Sequence, residues 1–187
     1  MSLIDSLKTA GVLLDGHFKL KSGRHARYYI NKDSIYCKPH LMQQVVSQMV
    51  QLIEDDEIDI ITGPAIAGAV LAVPIAMYLG RIFVYPEKVD GEQVYRRGYD
   101  QVVRGKKVAI VEDVITTGSS VVSTVRAIKQ NGGTVNKCIA IWNRSGDERI
   151  IPGITTWALI EEKVESWLPI HCPLCKEGVS LLDPKSL

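Results

Sequence analysis

The stretch 108–120, VAIVEDVITTGSS, restricts the fold more than any other part of the chain. Val108, Ala109, Ile110 and Val111 are apolar without alternation, the pattern of a strand buried on both faces. Such strands belong to parallel sheets covered by helices on each side. Glu112 and Asp113 follow at once, then Val114 and Ile115, then the small run Thr116-Thr117-Gly118-Ser119-Ser120. Residues 119 to about 130 read as a helix, stopped by Asn131-Gly132-Gly133. In an open α/β sheet, ligands lie at the carboxyl ends of the strands, where these two acids stand. The free N–H groups of a helix N-terminus attract anions, phosphate above all. Gly118 permits a tight turn and a close backbone approach. The hydroxyls of Thr116, Thr117, Ser119 and Ser120 add donors. Carboxylates beside an anion cradle suit a sugar phosphate: the acids accept hydrogen bonds from ribose hydroxyls and the loop takes the phosphate. The alternative is that the acidic pair only ends a strand and Ser119 or Ser120 only caps a helix.

The rest of the chain fits an α/β pattern. Leu3, Ile4, Leu7 and Val12 have helical spacing over 2–13, and 17–31 reads as two short strands around a Ser-Gly turn. Residues 39 to about 55 form an amphipathic helix with Leu41, Met42, Val45, Val46, Met49, Val50 and Ile53 on one stripe. The acids at 54–57 slightly oppose the helix dipole there. Strands are predicted over 58–62, 81–85, 107–111, 135–142 and 155–160, with a helix over 66–79. The polar, glycine-rich segment 86–106 reads as a long hairpin or a mobile loop. Strands alternating with helices predict a mainly parallel sheet flanked by helices, in one domain over 1–187.

Composition excludes little and agrees with this. Hydrophobic residues make up 46% and charged residues 23%, an ordinary globular balance. A net charge of +1 without a Lys/Arg cluster argues against nucleic acid as a partner. The apolar stretch 66–79 is broken by Gly68 and Pro74 and is too short to span a bilayer, so no membrane is expected. No signal peptide is read at the start, and four cysteines do not make a disulfide framework, so the cytoplasm is the expected compartment.

The whole string 108–120 resembles the phosphoribosylpyrophosphate-binding motif of type I phosphoribosyltransferases. Residues 15–31, DGHFKLKSGRHARYYIN, resemble the hood of the orotate phosphoribosyltransferases, where a Leu-(Lys/Arg)-Ser-Gly turn precedes two aromatics; Lys21, Tyr28 and Tyr29 stand at those positions. The stretch 62–68, TGPAIAG, resembles the loop that embraces pyrophosphate with backbone amides, which involves Ala67 and Gly68. The stretch 142–145, WNRS, resembles the segment whose arginine, here Arg144, pairs with the carboxylate of orotate. Two departures stand out. Many orotate enzymes carry a lysine in the pyrophosphate loop, at Ala67 here. Many also carry an Arg-Lys-Glu…Lys…His-Gly loop, whereas YPEKVDGEQVYRRGYDQ at 85–101 has no histidine. It is similar to a branch with an Arg-Arg-Gly or Arg-Lys-Gly signature, which makes Lys88, Arg96 and Arg97 the expected replacement cations.

The resemblance implies a single-domain type I phosphoribosyltransferase fold with an N-terminal hood, about 1–35, and a mobile hairpin loop, about 86–106. It implies transfer of a phosphoribosyl group from phosphoribosyl pyrophosphate to orotate in pyrimidine (UMP) biosynthesis. Glu112 and Asp113 would hold the ribose, residues 116–120 the phosphate, and Lys21, Tyr28, Tyr29, Thr116 and Arg144 the base. Mg²⁺ would be held mainly by substrate and water. A homodimer with shared active sites is expected. A purine-base transferase, a nucleic-acid-binding regulator that keeps the sugar site, and an inactive scaffold remain as alternatives.

His171-Cys172-Pro173-Leu174-Cys175 contains a CxxC. Cys172 and Cys175 offer two thiolates for a structural metal, with His171 a third and Cys37 or His40 a fourth from elsewhere in space. A thioredoxin-like redox pair would follow a strand at the start of a helix, which this stretch is not expected to do. Small buried thiols are the other reading. Cys37 and Cys138 read as packing residues. His17 and His25 lie in the hood stretch, as ligand contacts or as structural groups.

Overall fold

The computed structural model describes residues 3–20, 22–54, 56–161, 163 and 165–184. The chain forms two compact units, one running to Gln44 and resuming at Lys163, the other spanning Val45–Glu162. The first unit begins with α1 (Leu3–Thr9), β1 (Leu13–Lys19), β2 (His25–Ile30) and α2 (Asp33–Tyr36). Helix α3 (Pro39–Gln51) carries the chain into the second unit. That unit holds β3 (Ile60–Thr62), α4 (Ala67–Leu79), β4 (Ile82–Phe83), β5 (Glu87–Val89), β6 (Glu92–Val94) and α5 (Tyr99–Val103). It continues with β7 (Lys107–Ile115), α6 (Ser119–Gln130), β8 (Thr134–Asn143) and β9 (Thr156–Glu161). Strand β10 (Ser166–Trp167) and the single turn α7 (Pro173–Lys176) then return to the first unit.

In the second unit, five strands in the order β4-β3-β7-β8-β9 form a wholly parallel sheet. Strand β7 is central. Its residues 108–113 are all buried, as an uninterrupted apolar run in a doubly covered sheet requires. The strand extends past the predicted end at 111, because β8 keeps pairing with it through Glu112↔Ala140, Val114↔Trp142 and Ile115↔Asn143. The two acids therefore lie inside the paired strand. The core under one face joins Ile110, Ile115, Val121, Ile128, Cys138 and Ile151. Helix α4 has apolar residues all round. It buries Leu71, Ala72, Ile75 and Ala76 and leaves Val70, Val73 and Met77 exposed on one side. Among the described residues no helix is long and apolar enough to cross a membrane.

Segment 86–106 is a hairpin followed by α5. Asp90 and Gly91, at φ 49° and 89°, make the turn with the positive dihedrals that tight hairpins favour. The hairpin is tied down. Ser123 Oγ accepts from the Gln93 N–H (2.8 Å) and donates to Glu92 (2.7 Å), and Arg126 donates to the same carboxylate (2.9 Å). Tyr95 is buried, which pushes its hydroxyl well above the ordinary phenol range. It donates to Thr62 Oγ1 (2.9 Å), whose own proton goes to the Val84 carbonyl (2.8 Å).

In the first unit, β1, β2 and β10 form an antiparallel sheet. The predicted helix over 2–13 stops early. Gly11, at φ 66°, closes it, with Val12 N–H donating to Leu7 O (2.8 Å), so β1 starts at Leu13. Arg24 donates to Ser166 Oγ (2.9 Å) and to its carbonyl, fixing β10 on β2. Contrary to the sequence expectation, the CxxC does open a helix: Cys172 is the N-cap of α7, after a 3₁₀ turn at Pro169–His171.

Tyr95→Phe leaves the buried Thr62 hydroxyl without one of its two partners. The expected loss is about 1 kcal/mol of unfolding free energy, measured by denaturant titration. An unchanged midpoint would mean that this bond does not anchor the hairpin.

Candidate active site

The acids are held by their own backbone. Glu112 and Asp113 are 7% and 3% exposed. Glu112 Oε1 accepts from the Asp113 N–H (3.1 Å), and Asp113 Oδ1 from the Val114 N–H (2.6 Å). These local bonds orient both carboxylates at the carboxyl end of β7. Below them lies Cys138, fully buried; burial pushes its thiol up, and the charge of Glu112 adds to this. Cys138 is a packing residue, as expected.

Helix α6 starts beside the pair. Neither Ser119 nor Ser120 caps it. The N-cap is Gly118, at φ 70°, with no side-chain cap bond. An open polar hollow is bounded by Glu112, Ile115 and the run 116–120, so the first turn of α6 faces it with N–H groups that no side-chain cap covers. This favours an anion cradle over a plain cap. The positive φ at Gly118 favours glycine, and a Cβ there would meet the end of the Ile151 side chain, Cδ1, at 2.5 Å, so that side chain would have to shift.

The loop between β3 and α4 packs against the same place. A Cβ on Gly63 would lie 2.3 Å from the Gly68 carbonyl carbon and 2.6 Å from Val111 O. One on Gly68 would lie 2.6 Å from Val111 O and 3.3 Å from Glu112 Oε1. Two glycines, Gly63 in the loop and Gly68 in the first turn of α4 next to Ala67, thus let this segment lie against the strand that carries the acids. The Ala65–Ile66 peptide is cis. Gly63 was not singled out from the sequence, although its Gly-Pro step marked a strand end.

Arg144 follows β8, and its N–H donates to Ile115 O (2.8 Å), which places it next to the loop after β7. Its guanidinium stands 5.6 Å from the centre of the Trp142 ring. Asn143, fully buried, shapes this turn by accepting from Ser145 N–H (3.1 Å) and donating to Asp147 O (3.0 Å). No local residue pattern announces that role. Lys88, Arg96 and Arg97 are exposed on and after the hairpin. Arg97, at φ 59°, pairs with Glu87 at 2.6 Å.

The second unit thus brings together Glu112, Asp113, residues 116–120, Ala67, Gly68 and Arg144. Tyr28 and Tyr29 belong to the first unit, half-buried on β2. The Arg27 guanidinium lies over Tyr28 at 5.8 Å, and Tyr29 packs on Phe18 with ring centres 5.6 Å apart. Lys21 lies outside the described residues. Also in the first unit, the imidazoles of His17 and His25 meet the thiols of Cys172 and Cys175. His171, Cys37 and His40, the further ligands expected beside the two thiols, are not in that group and are exposed.

The profile of the phosphoribosyl transferase domain matches residues 31–152. The orotate phosphoribosyltransferase of Caldicellulosiruptor bescii is 34% identical over 98% of this chain and 95% of its own length. Among solved structures, the orotate phosphoribosyltransferase from Aeropyrum pernix is similar in fold, with a TM-score of 0.70 at 22% identity over 84% of this chain and 92% of that one. The adenine phosphoribosyltransferase from Rhodothermus marinus has a TM-score of 0.66 at 18% identity over 84% and 97% of the two chains, so fold alone does not select the base. With a profile over more than half of the chain and a relative matched along nearly its whole length, this chain belongs to the phosphoribosyl transferase family, in its orotate phosphoribosyltransferase branch.

Proposed function

We infer that the protein transfers the phosphoribosyl group of phosphoribosyl pyrophosphate to orotate, giving orotidine 5′-phosphate and pyrophosphate in UMP biosynthesis in the cytoplasm. The observation that carries this reading is the buried Glu112–Asp113 pair beside the glycine-capped start of α6. The relatives supply the base.

Each residue has a physical task. Glu112 and Asp113 accept hydrogen bonds from the ribose hydroxyls. Their negative charge stands near C1, where positive charge develops as pyrophosphate leaves and the ring nitrogen of orotate arrives on the opposite face. Residues 116–120 and the N–H groups of α6 take the 5′-phosphate. The 62–68 loop takes the diphosphate with its amides. Ala67 brings no cation there, so Lys88, Arg96 and Arg97 supply positive charge from the hairpin. The Arg97–Glu87 pair is exposed, hence weak, and Arg97 can exchange Glu87 for a diphosphate oxygen at small cost. Arg144, Lys21, Tyr28, Tyr29 and Thr116 hold orotate, with Arg144 on its carboxylate.

The donor set fits magnesium. Carboxylates and hydroxyls are hard oxygen donors, and Glu112 and Asp113 would hold the ion through water while diphosphate oxygens take the remaining positions. When bound, the ion neutralises charge on the leaving diphosphate. The homodimer expected of the family is supported by α4, whose exposed Val70, Val73 and Met77 make an apolar stripe that a second copy would cover.

The deciding experiment is a base panel with phosphoribosyl pyrophosphate, Mg²⁺ and one of orotate, uracil, adenine, guanine, hypoxanthine or xanthine, read by pyrophosphate release. Turnover with orotate alone is expected; turnover with adenine would keep the sugar site and discard the base site. Arg144→Ala should raise KM for orotate about 10- to 100-fold, with a much smaller change for the sugar diphosphate. Equal effects would move Arg144 away from the base. Asp113→Asn and Arg97→Ala should each lower turnover, the latter without lowering the melting temperature. If the hairpin serves the neighbouring site, refolding the two impaired variants together should raise activity to about a quarter of wild type through hybrid dimers with one intact site. No recovery in hybrids would put each hairpin over its own site.

A further inference from the structure

We propose that His17, His25, Cys172 and Cys175 bind one structural zinc ion that ties the two ends of the first unit together. This inference is independent of the transfer reaction.

The residues converge for identifiable reasons. Strand β1 has a bulge between Asp15 and Phe18, which breaks the in–out alternation, so His17 and Phe18 are both buried, at 1% exposure each. His25 opens β2, opposite Lys19 and Trp167, and is 5% exposed. Cys172 caps α7 and is fully buried, and Cys175 lies three residues on, one helical turn later and on the same side.

His17 Nδ1 is 2.8 Å from the Val179 carbonyl. A carbonyl only accepts, so Nδ1 carries the proton and Nε2 presents a bare lone pair to the group. This is the usual carbonyl support of a metal-ligating imidazole. Nε2 lies 3.0 Å from His25 Nδ1, 3.4 Å from Cys172 Sγ and 3.7 Å from Cys175 Sγ. Cys175 Sγ lies 3.3 Å from His25 Nδ1, and all four ligand atoms fall within 4.8 Å of one another.

Four of the six separations have the size of edges of a tetrahedral metal site, and the other two are no longer than 4.8 Å. Zinc–nitrogen and zinc–sulfur bonds of ordinary length set tetrahedral edges of about 3.3 Å between nitrogens and about 3.6 Å from nitrogen to sulfur. The three nitrogen–sulfur distances, from 3.3 to 3.7 Å, bracket the second value, and the nitrogen–nitrogen distance of 3.0 Å lies slightly below the first. Two thiolates neutralise a divalent ion beside two neutral imidazoles, so the buried His17, His25 and Cys172 can hold it, with Cys175 closing the site from its exposed side. Soft and borderline ligands in tetrahedral array select zinc, and four protein ligands leave no open position for catalysis.

The role is mechanical. His17 and Cys172 are 155 positions apart in sequence. The sheet they brace has a third strand of only two residues. Metal binding supplies cohesion that a small core lacks.

The test is metal analysis of the full chain made without a polyhistidine tag. About one zinc per chain is expected by plasma mass spectrometry, and the cobalt-loaded protein should show intense tetrahedral d–d bands with thiolate charge transfer. Cys175→Ser and His25→Asn should each lose most of the zinc, and chelator should lower the melting temperature of the wild type but not of Cys175→Ser. Should a variant fail to fold, the cobalt spectrum of the wild type decides alone. Absence of zinc after reconstitution, a Cys172–Cys175 disulfide in its place, or zinc retained by both variants as an adventitious surface ion would overturn the proposal.

Discussion

The carbonyl of Val111 is the point on which the second unit depends. A Cβ at either Gly63 or Gly68 would stand 2.6 Å from it, so two residues without side chains let one loop lie against the central strand. That contact fixes the start of α4 beside Glu112, while the same strand, four residues on, delivers the chain to the start of α6. The two loops that would hold opposite ends of one substrate are therefore positioned by backbone contact and by the pairing of β3, β7 and β8. Backbone placed this way does not reorganise as charge develops, which is the condition for strong electrostatic stabilisation.

Rigid and exchangeable parts are separated. The acid pair and the small-residue loop belong to the sheet and its first helical turn. The cations are carried on a hairpin, bound to α6 through Glu92 and to β3 through Tyr95, with Arg97 in an exposed pair. A group that must meet a polyanion and then release it is better held by a weak local partner than by a buried one.

The sheet, and the meeting of an acid pair with a small-residue loop at its centre, were legible in the sequence because they are local. An unbroken apolar run, two acids and a small-residue turn occupy thirteen consecutive positions. Boundaries were less so. β7 runs to Ile115 because β8 pairs with it, α1 ends early because Gly11 adopts a positive φ, and α3 stops at Gln51 ahead of the acidic run at its end. Asn143, Gly63 and the meeting of His17 and His25 with Cys172 and Cys175 were not legible. They depend on contacts between distant segments or on a β-bulge that no residue pattern announces.

The division of the chain also fixes an order of assembly. The second unit is one continuous segment, whereas the first is made from residues up to Gln44 and from Lys163 onward. Arg24 finds Ser166 across 142 positions and His17 finds Val179 across 162. A ribosome delivers the parallel sheet whole before the last strand of the small antiparallel sheet exists. The early strands β1 and β2 must therefore wait as an unfinished hairpin, with one edge unpaired, until the final stretch of chain arrives to close it.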